Sequence, residues 1–319
     1  MAGYLLRRVI QAILVVLGVI LITFIFSQVI PGGEARAVLG QRATPQLIAQ
    51  FNRQNGLTKP ILEQFWRYLV GIPQLRLGYS YKFTQPVWAI IQERLPKTLV
   101  LVGTALALAL LIAVPLGVFQ VVRRHKPSDY AVTGLAFVLY ASPTFFIGTL
   151  FIVWFSFDLH LLPVAPPSDA SPWAVFTDPR AFVMPVLTLS ATTIAVFSRY
   201  MRSSLLDAMA EDYVRTAKAK GASGRRILYA HALRNALIPI ITLVGLTLPA
   251  IVSGAVVIES IFNYPGMGLL VVQAAENSDI PLVLGTTLVA TVATVIGSLL
   301  ADILYVIVDP RIRYTGLKS

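Results

Sequence analysis

The side chains that most often carry chemistry are few in this sequence and lie far apart. The 319 residues include no cysteine and three histidines, His125, His160 and His231. Without cysteine, the chain can form no disulfide, thiolate metal site or cysteine nucleophile. The histidines show neither the spacing of a metalloprotease motif nor a neighbouring nucleophile elbow. We therefore expect no enzymatic activity and no bound metal, and we interpret each histidine as a surface or interface residue.

A phosphate-binding loop is also missing from the sequence. Such a loop needs two glycines with four residues between them, followed directly by Lys and then Ser or Thr. Residues 221–225 read Gly-Ala-Ser-Gly-Arg and lack both the lysine and the spacing. We therefore expect no ATP and no Mg²⁺ site in this chain.

The composition predicts that lipid is the main solvent. Hydrophobic residues make up 56% of the chain and charged residues only 13%, against about 25% charged residues in a typical soluble domain. The formal net charge is +11, which in a soluble protein would suggest nucleic acid. No nucleic-acid recognition module accompanies that charge, and basic residues in membrane proteins mark cytoplasmic loops.

Six stretches without a charged residue predict an all-α membrane protein with six transmembrane helices, because about 20 apolar residues cross the hydrocarbon core. The first is too long for a signal peptide and has no cleavage site after it. The last can continue through Asp302, the one charged residue inside a span, which serves either a function or helix packing. The stretches are 9–30, 98–122, 130–157, 181–198, 236–258 and 280–301.

Basic residues predict the orientation, because short cytoplasmic loops are enriched in Lys and Arg. With sides assigned alternately, one side holds both termini, residues 123–126 and the basic stretch 199–234. The other side has Arg180 in one short loop and no basic residue at 259–279. The nine basic residues of segment 31–97 barely count, since the rule holds for loops up to about 60 residues. Both termini are predicted to be cytoplasmic.

Two external segments differ in composition. Segment 31–97 is rich in glycine and proline, and its periodicity predicts short helices at 46–54 and 61–70. It is either a small cap on the spans or a docking surface or gate. Segment 158–180 holds five prolines, which predict an extended connector without regular helix or central strand.

The cytoplasmic stretch 203–239 predicts two short helices. Ser204 and Asp207 have capping-box spacing at the start of the first, and Gly221 suits its C-terminal end. An apolar stripe is expected along it, at Leu205, Met209, Tyr213 and Thr216. The second is expected at about 225–233. The first helix could lie on anionic lipid, or it could dock on a protein. Docking is favoured by small residues that allow close approach, namely Ala208, Ala210, Ala217 and Ala219.

Two runs in this stretch resemble the EAA loop of bacterial ABC importer permeases, especially the first ("B-type") permease of dipeptide and oligopeptide systems. In that family the loop forms two short helices that lie in a cleft of the ATP-binding subunit and transmit its motion. Ala217 and Gly221 fall at the motif's alanine and glycine, whereas the motif's later Leu-Pro is replaced by Ile238-Pro239. The runs are Glu211-Asp212-Tyr213-Val214-Arg215-Thr216-Ala217-Lys218-Ala219-Lys220-Gly221 and His231-Ala232-Leu233-Arg234-Asn235-Ala236.

Further matches to the same branch cover essentially the whole chain. They are Tyr4-Leu5-Leu6-Arg7-Arg8, Pro31-Gly32, the external motif Glu259-Ser260-Ile261-Phe262-Asn263-Tyr264-Pro265-Gly266-Met267-Gly268, and Asp309-Pro310-Arg311. The resemblance implies a tail and first span at 1–30, an external segment at 31–97, and a five-span core at 98–319 with a coupling loop at about 203–234. Implied coupling residues are Glu211, Asp212, Tyr213, Arg215, Thr216, Ala217, Lys218, Gly221, Arg226 and His231, and the implied outer-face motif is Asn263, Tyr264, Pro265, Gly266 and Gly268.

The resemblance also implies an assembly in the bacterial cell membrane. A second, homologous permease would complete the path, two ATP-binding subunits would hold ATP and Mg²⁺, and an extracytoplasmic binding protein would deliver cargo. Cargo in this family ranges over dipeptides, oligopeptides, glutathione and nickel, and the sequence leaves the choice open. Polar span residues could line the path or glue helices together; candidates are Ser142, Thr188, Thr192, Ser253 and Thr286.

Two other classes of membrane protein are alternatives to an importer permease. An ion-coupled secondary transporter would need internal inverted repeats and a midplane ion site, and the charge-free spans offer little for either. An intramembrane enzyme would need a metal site or a catalytic pair within a span, and the sequence contains neither pattern.

Overall fold

A computed structural model describes residues 2–29, 33–40, 42–167, 170–253 and 255–308; for 2–6, 37, 248–253 and 304–308 it describes the backbone alone. Pro31-Gly32 and Asp309-Pro310-Arg311 lie outside these residues. The first elements are α1 (Ala2–Val29), α2 (Gly33–Leu39), α3 (Pro45–Gln54), α4 (Ile61–Gly71), β1 (Tyr79–Ser80), β2 (Gln85–Pro86), α5 (Val87–Val122), α6 (Pro127–Ala141) and α7 (Thr144–Phe151). The remaining elements are α8 (Ala174–Thr177), α9 (Val183–Ala210), α10 (Asp212–Ala219), α11 (Gly224–Arg226), α12 (Leu233–Ser253), α13 (Val256–Ile261), α14 (Met267–Glu276) and α15 (Ile280–Val308).

The described chain is mostly helical, as the composition predicts, and several helices are long and apolar enough to cross a membrane. Five single helices meet this condition, and α6 with α7 forms a sixth span if the bent pair is counted as one. The two-residue strands β1 and β2 pair antiparallel, with Tyr79 opposite Pro86. This small hairpin is a departure from the all-α prediction.

The third predicted span is not one straight helix. It divides between α6 and α7, whose axes differ by 102°. The break lies at Ser142-Pro143, where Ser142 has an extended backbone with ψ of 130°. Proline lacks the N–H for the helical ladder and disfavours helical backbone in the residue before it, so the two helices part here.

Other boundaries differ from the charge-free stretches as well. The α5 helix begins at Val87, well before residue 98, and α9 continues to Ala210 instead of ending near 198. The α12 helix, which forms the fifth predicted span, ends at Ser253 rather than at residue 258. The last helix, α15, continues through Asp302 to Val308, as the sequence allowed. The absence of charge marks what can enter lipid, whereas a helix can continue into the aqueous layer.

The external segments follow the sequence more closely. The predicted helices at 46–54 and 61–70 are confirmed by α3 and α4, and the Thr44 side chain caps α3. The connector 158–180 contains only short helical turns among its described residues: the end of a π-helical stretch (Ile152–Asp158), α8, and a 3₁₀ turn (Pro179–Ala181). Its prolines prevent anything longer.

The chain forms two compact units, one made of residues 1–99 and 252–295 and the other of 100–251 and 296–319. In the first unit, an apolar cluster joins Val87, Ile90 and Ile91 of α5 to Leu270 of α14 and Leu282 of α15. The rings of Phe24 and Phe65 lie 5.2 Å apart and fix α4 against α1. In the second unit, Met201 and Leu205 of α9 pack with residues of α5 and of the helical segment 224–240.

Candidate functional sites: an exposed loop and a buried motif

The 211–234 loop begins where α9 ends. Glu211 is extended, with ψ of 152°, and a new helix, α10, starts at Asp212. The sequence prediction of a helix start near Ser204 is wrong, because α9 passes through this position without interruption. The break at Glu211 also separates the predicted apolar stripe: Leu205 is buried, while Tyr213 and Thr216 are exposed.

The α10 helix buries one side chain and exposes most of the others. All its residues are described, and Val214 alone is buried. Ala217 is partly buried. Arg215 and Asp212 lie 3.5 Å apart with side chains 79% and 94% exposed, so this ion pair adds little stability. Of the coupling residues implied by resemblance, the exposed ones are Glu211, Asp212, Tyr213, Arg215, Thr216, Lys218, Gly221 and Arg226.

The end of α10 is fixed by backbone hydrogen bonds, as Gly221 predicts. The Gly221 N–H donates to the Lys218 carbonyl at 3.0 Å, and the Ala222 N–H donates to the Ala217 carbonyl at 3.1 Å. Gly221 has φ of +80°, a left-handed conformation that costs glycine little. These two bonds form a Schellman motif, which reverses the chain towards α11.

The second half of the loop is joined to the helix that follows it. Ser223 caps α11, and the chain continues through a π-helical stretch, Ile227–Ala232, directly into α12. Leu228 and Ala232 are buried in the same cluster as Met201, Leu205 and Ala208 of α9. His231 is partly buried. A force applied to the loop can therefore pass through packed side chains to both α9 and α12.

The 259–268 motif is built around a buried carboxylate. Glu259 is fully buried. Its Oε1 accepts a hydrogen bond from the Thr98 hydroxyl at 2.8 Å, and its Oε2 accepts one from the Leu269 N–H at 3.0 Å. The Thr98 hydroxyl accepts in turn from the Met267 N–H at 2.7 Å. The carboxylate thus satisfies the first turn of α14, where backbone N–H groups have no helical partner. Burial raises the pKa of the Glu259 carboxyl, and these donors partly offset that rise.

Glycine is required in this motif by close approach. A Cβ added at Gly268 would lie 2.6 Å from the Val256 Cα and 3.0 Å from the Glu259 carboxylate. Tyr264 is also buried, and its hydroxyl donates to the Lys97 carbonyl at 2.8 Å. Pro265 and Gly266 are buried, whereas Asn263 is exposed with φ of +46°. The fold places most of the motif inside the first unit, joined to α5 at Lys97 and Thr98.

The predicted path residues lie in different environments. Thr188 and Thr286 are buried, and their hydroxyls donate to the Met184 and Leu282 carbonyls of their own helices at 2.7 Å. Ser142 is partly buried, and its hydroxyl donates to the Val138 carbonyl at 2.7 Å. Thr192 is partly buried, and the side chain of Ser253 lies outside the described residues. Which of them line a path stays a prediction.

Sequence analysis missed the buried charges. Asp302, the charged residue that the sequence places inside a span, is partly buried, but the described chain also buries Lys97, Asp129, Glu259 and Asp279. Each of these residues directly flanks a charge-free stretch, where the sequence suggests an exposed charge at the end of a span. Arg202 holds Asp129 with two hydrogen bonds of 3.1 and 2.9 Å, joining α9 to α6. The position of Asp129, two residues after Pro127, could have predicted its place in the first turn of a helix, since acidic residues favour a helix start.

The histidines are separate, as expected. His125 and His160 are exposed and have φ of +64° and +53°, and His231 belongs to the loop described above. Among the described residues, no group of three or more His, Cys, Asp or Glu side chains could hold a metal ion.

Comparisons with known proteins agree along the length of the chain. The family described as "Binding-protein-dependent transport system inner membrane component" matches residues 105–314, and the N-terminal region of such membrane components matches residues 1–102. The chain is 36% identical to the oligopeptide transport system permease protein AppB of Bacillus subtilis, over 98% of this chain and all of that protein. It is 34% identical to the dipeptide transport system permease protein DppB of Escherichia coli K12, over 98% and 99%. It is 35% identical to the glutathione transport system permease protein GsiC of Salmonella typhimurium, over 98% and 100%.

Proposed function

The chain belongs to the family of inner membrane components of binding-protein-dependent transport systems, and from this membership we propose that it is a permease subunit of an ATP-driven importer of short peptides. It is a multi-pass membrane protein whose activity is transport rather than catalysis. The peptide cargo is inferred from the names of its relatives, which act on oligopeptides and dipeptides. Glutathione, the cargo named for a third relative, is itself a tripeptide and falls in the same chemical class.

The observation that carries the coupling mechanism is the exposure of α10 on an anchored base. Its polar side chains face solvent, while Val214 and the buried residues at 227–232 hold the loop to α9 and α12. A helix of eight residues gains little stability from its own hydrogen bonds, and an exposed polar face has no folding role. We assign that face to a contact with an ATP-binding subunit.

Coupling then follows from the connection between the loop and the spans. ATP and Mg²⁺ would be bound by two separate subunits, because the sequence has no phosphate-binding loop. When those subunits close, they would push on α10, and the packed side chains of α9 and α12 would transmit the movement. A second, homologous permease would complete the translocation path, whose opening would alternate between the two sides of the membrane.

The orientation that this mechanism requires has both termini and the 211–234 loop in the cytoplasm. Support comes from the basic residues on that side and their absence from 259–279. Segment 31–97 would then face outward and receive the cargo-binding protein. The buried 259–268 motif offers only Asn263 as an exposed contact among the motif positions implied by resemblance, so the docking surface would be formed mainly by segment 31–97.

Co-purification in mild detergent with the proteins encoded beside this gene tests the assembly. We expect a second permease and ATP-binding subunits to be recovered, with ATPase activity stimulated by a peptide-loaded binding protein. Recovery of the chain alone, with flux driven by an ion gradient, would contradict the proposal and favour a secondary transporter.

Single cysteines test the orientation without background labelling, because the natural chain has no cysteine. Thr58 lies in segment 31–97 and Lys218 in α10, and both are exposed. In intact cells, a membrane-impermeant maleimide should label T58C and leave K218C unlabelled until the membrane is opened. The reverse pattern would overturn the orientation.

A further inference from the structure

A cavity of about 920 Å³ lies within the first unit and is not explained by the proposed path. Its walls come from the end of α1, the start of α2, helices α3 and α4, the β1 region and the start of α15. The volume is at the upper end of the range of about 300–1,000 Å³ for small-molecule sites. The cavity is therefore large enough for an organic solute.

Two polar groups line the cavity without a partner. Glu34 is partly buried on the cavity wall, and it makes no hydrogen bond or ion pair with any residue that the structure describes. The Tyr68 hydroxyl is buried and likewise has no hydrogen-bond partner in the described chain. Buried polar groups are normally paired, and leaving one unpaired is unfavourable. The buried Tyr68 hydroxyl and the partly buried Glu34 carboxyl in one cavity indicate a site whose ligand supplies the partners.

Glu34 has a second acidic residue, Asp279, close to it. Desolvation, with a smaller contribution from the buried carboxylate of Asp279, raises the Glu34 pKa to about 7. Asp279 is itself occupied, since it accepts hydrogen bonds from the Ser80 hydroxyl and the Leu282 N–H. Desolvation raises the pKa of nearby Tyr81, and the Glu34 carboxylate adds to that rise. A cation placed at Glu34 would relieve this repulsion.

Other walls of the cavity suit the remainder of a peptide. Trp66 and Tyr79 present exposed aromatic rings, and Arg76 presents an exposed guanidinium that makes no ion pair among the described residues. Glu63 and Arg67 also line the cavity, but they are paired with each other at 3.4 Å. A cavity that holds an unpaired carboxyl and an unpaired guanidinium matches a zwitterion with an apolar body.

We propose that this cavity is a solute site that takes the amino end of a short peptide, with the peptide ammonium bound to Glu34 and hydrogen-bond acceptors of the peptide facing Tyr68 and Arg76. The choice of a peptide rests on the proposed function. In the outward-facing orientation of segment 31–97, the site would hold cargo at the entrance to the path, separately from the binding protein.

Calorimetric titration of trialanine tests the site directly. The protein is the chain with its co-purified subunits in lipid nanodiscs, without nucleotide or binding protein. We expect Glu34→Gln to weaken trialanine binding at least tenfold. The exposed carboxyl of Glu276 lies outside the cavity, so Glu276→Gln is the matched control and should leave the affinity unchanged. N-acetyl-trialanine should bind the natural protein at least tenfold more weakly than trialanine does, and this comparison needs no variant to fold.

The pH dependence gives a second signature. Glu34 is charged above its pKa of about 7, whereas a peptide ammonium has a pKa of about 7.7–8.0. Trialanine affinity should therefore rise about sixfold between pH 6.0 and pH 7.5 and fall again above pH 8. In E34Q the rise between pH 6.0 and 7.5 should disappear.

The outcomes separate this site from the importer function. Equal trialanine affinity for the natural protein and E34Q, or equal affinity for free and N-acetylated peptide, would overturn the site even if peptide-stimulated ATPase is observed. Peptide retention only when the binding protein is present would overturn it as well and assign the cavity to that partner. Glu34-dependent binding in a chain that recovers no ATP-binding subunit would keep the site and reject the importer.

Discussion

In the 211–234 loop, α10 exposes nearly all its polar side chains, whereas the 259–268 motif buries its glutamate, tyrosine, proline and glycines. Both segments resemble motifs of one permease family, and resemblance alone suggested two contact surfaces. Burial separates them. A residue that faces solvent with no structural partner is free to bind another protein, while a buried carboxylate with several donors maintains the fold.

The comparison predicts that substitutions in the two segments have opposite effects. Changes in the 259–268 motif should lower stability first, and changes in the 211–234 loop should impair coupling while stability is kept. Unfolding midpoints and binding-protein-stimulated ATPase activity, measured on the same purified complexes, distinguish the two effects.

The largest loss of stability is expected for Glu259→Ala. It leaves the Thr98 hydroxyl and the Leu269 N–H without their acceptor in a buried site, which costs about 3 kcal/mol. Thermal unfolding should show a lower midpoint than for the natural complex, while Glu276→Ala, an exposed acid nearby in sequence, should leave it unchanged. An unchanged midpoint for E259A would show that the carboxylate does not hold the motif.

A pair of threonines compares the segments with the same substitution. Thr98→Val removes a buried hydroxyl that donates to Glu259 and accepts from Met267, and should cost about 1.5 kcal/mol. Thr216→Val removes an exposed hydroxyl that bonds the Asp212 carbonyl, and should leave the midpoint unchanged but reduce stimulated ATPase activity. The distinction between the segments would fail if T216V destabilised the complex as much as T98V does.

The end of α10 is tested by Gly221→Ala. An L-residue at φ of +80° costs about 1 kcal/mol relative to glycine, and the cost should stay within the loop. Hydrogen exchange of the α10 amides should accelerate about fivefold, which corresponds to that energy. Gly224 has ample space and no left-handed backbone, so Gly224→Ala serves as control. Equal exchange rates in both variants would argue against the Schellman end.

The smallest change in stability is expected for Arg215→Ala. Its ion pair with Asp212 is largely exposed, so the free energy of unfolding should change by less than about 0.5 kcal/mol. The ATP-binding subunits should nevertheless dissociate more readily in detergent, as size-exclusion chromatography would show. Full retention of those subunits together with normal stimulated ATPase activity would remove Arg215 from the contact.

Local patterns predicted local structure well. The two helices of segment 31–97, the helix end at Gly221 and the continuation of the last helix past Asp302 are confirmed, because each depends on neighbouring residues in the chain. The sharp bend at Ser142-Pro143 was also within reach, since proline disfavours helix in the preceding residue. It was missed because a charge-free stretch was equated with a straight helix.

The long charge-free stretches of the sequence determined that this chain is a helical membrane protein. Lipid penalises charged side chains and unpaired backbone groups whatever the fold. The resemblance of its motifs named the family. Only the tertiary structure decided which motif is buried and that Glu259 accepts a hydrogen bond from Thr98, 161 residues away in the chain. It also decided that Glu34 lies close enough to Asp279 for the two carboxyl groups to interact. Burial and pairing depend on residues distant in sequence, so no local pattern could reveal them.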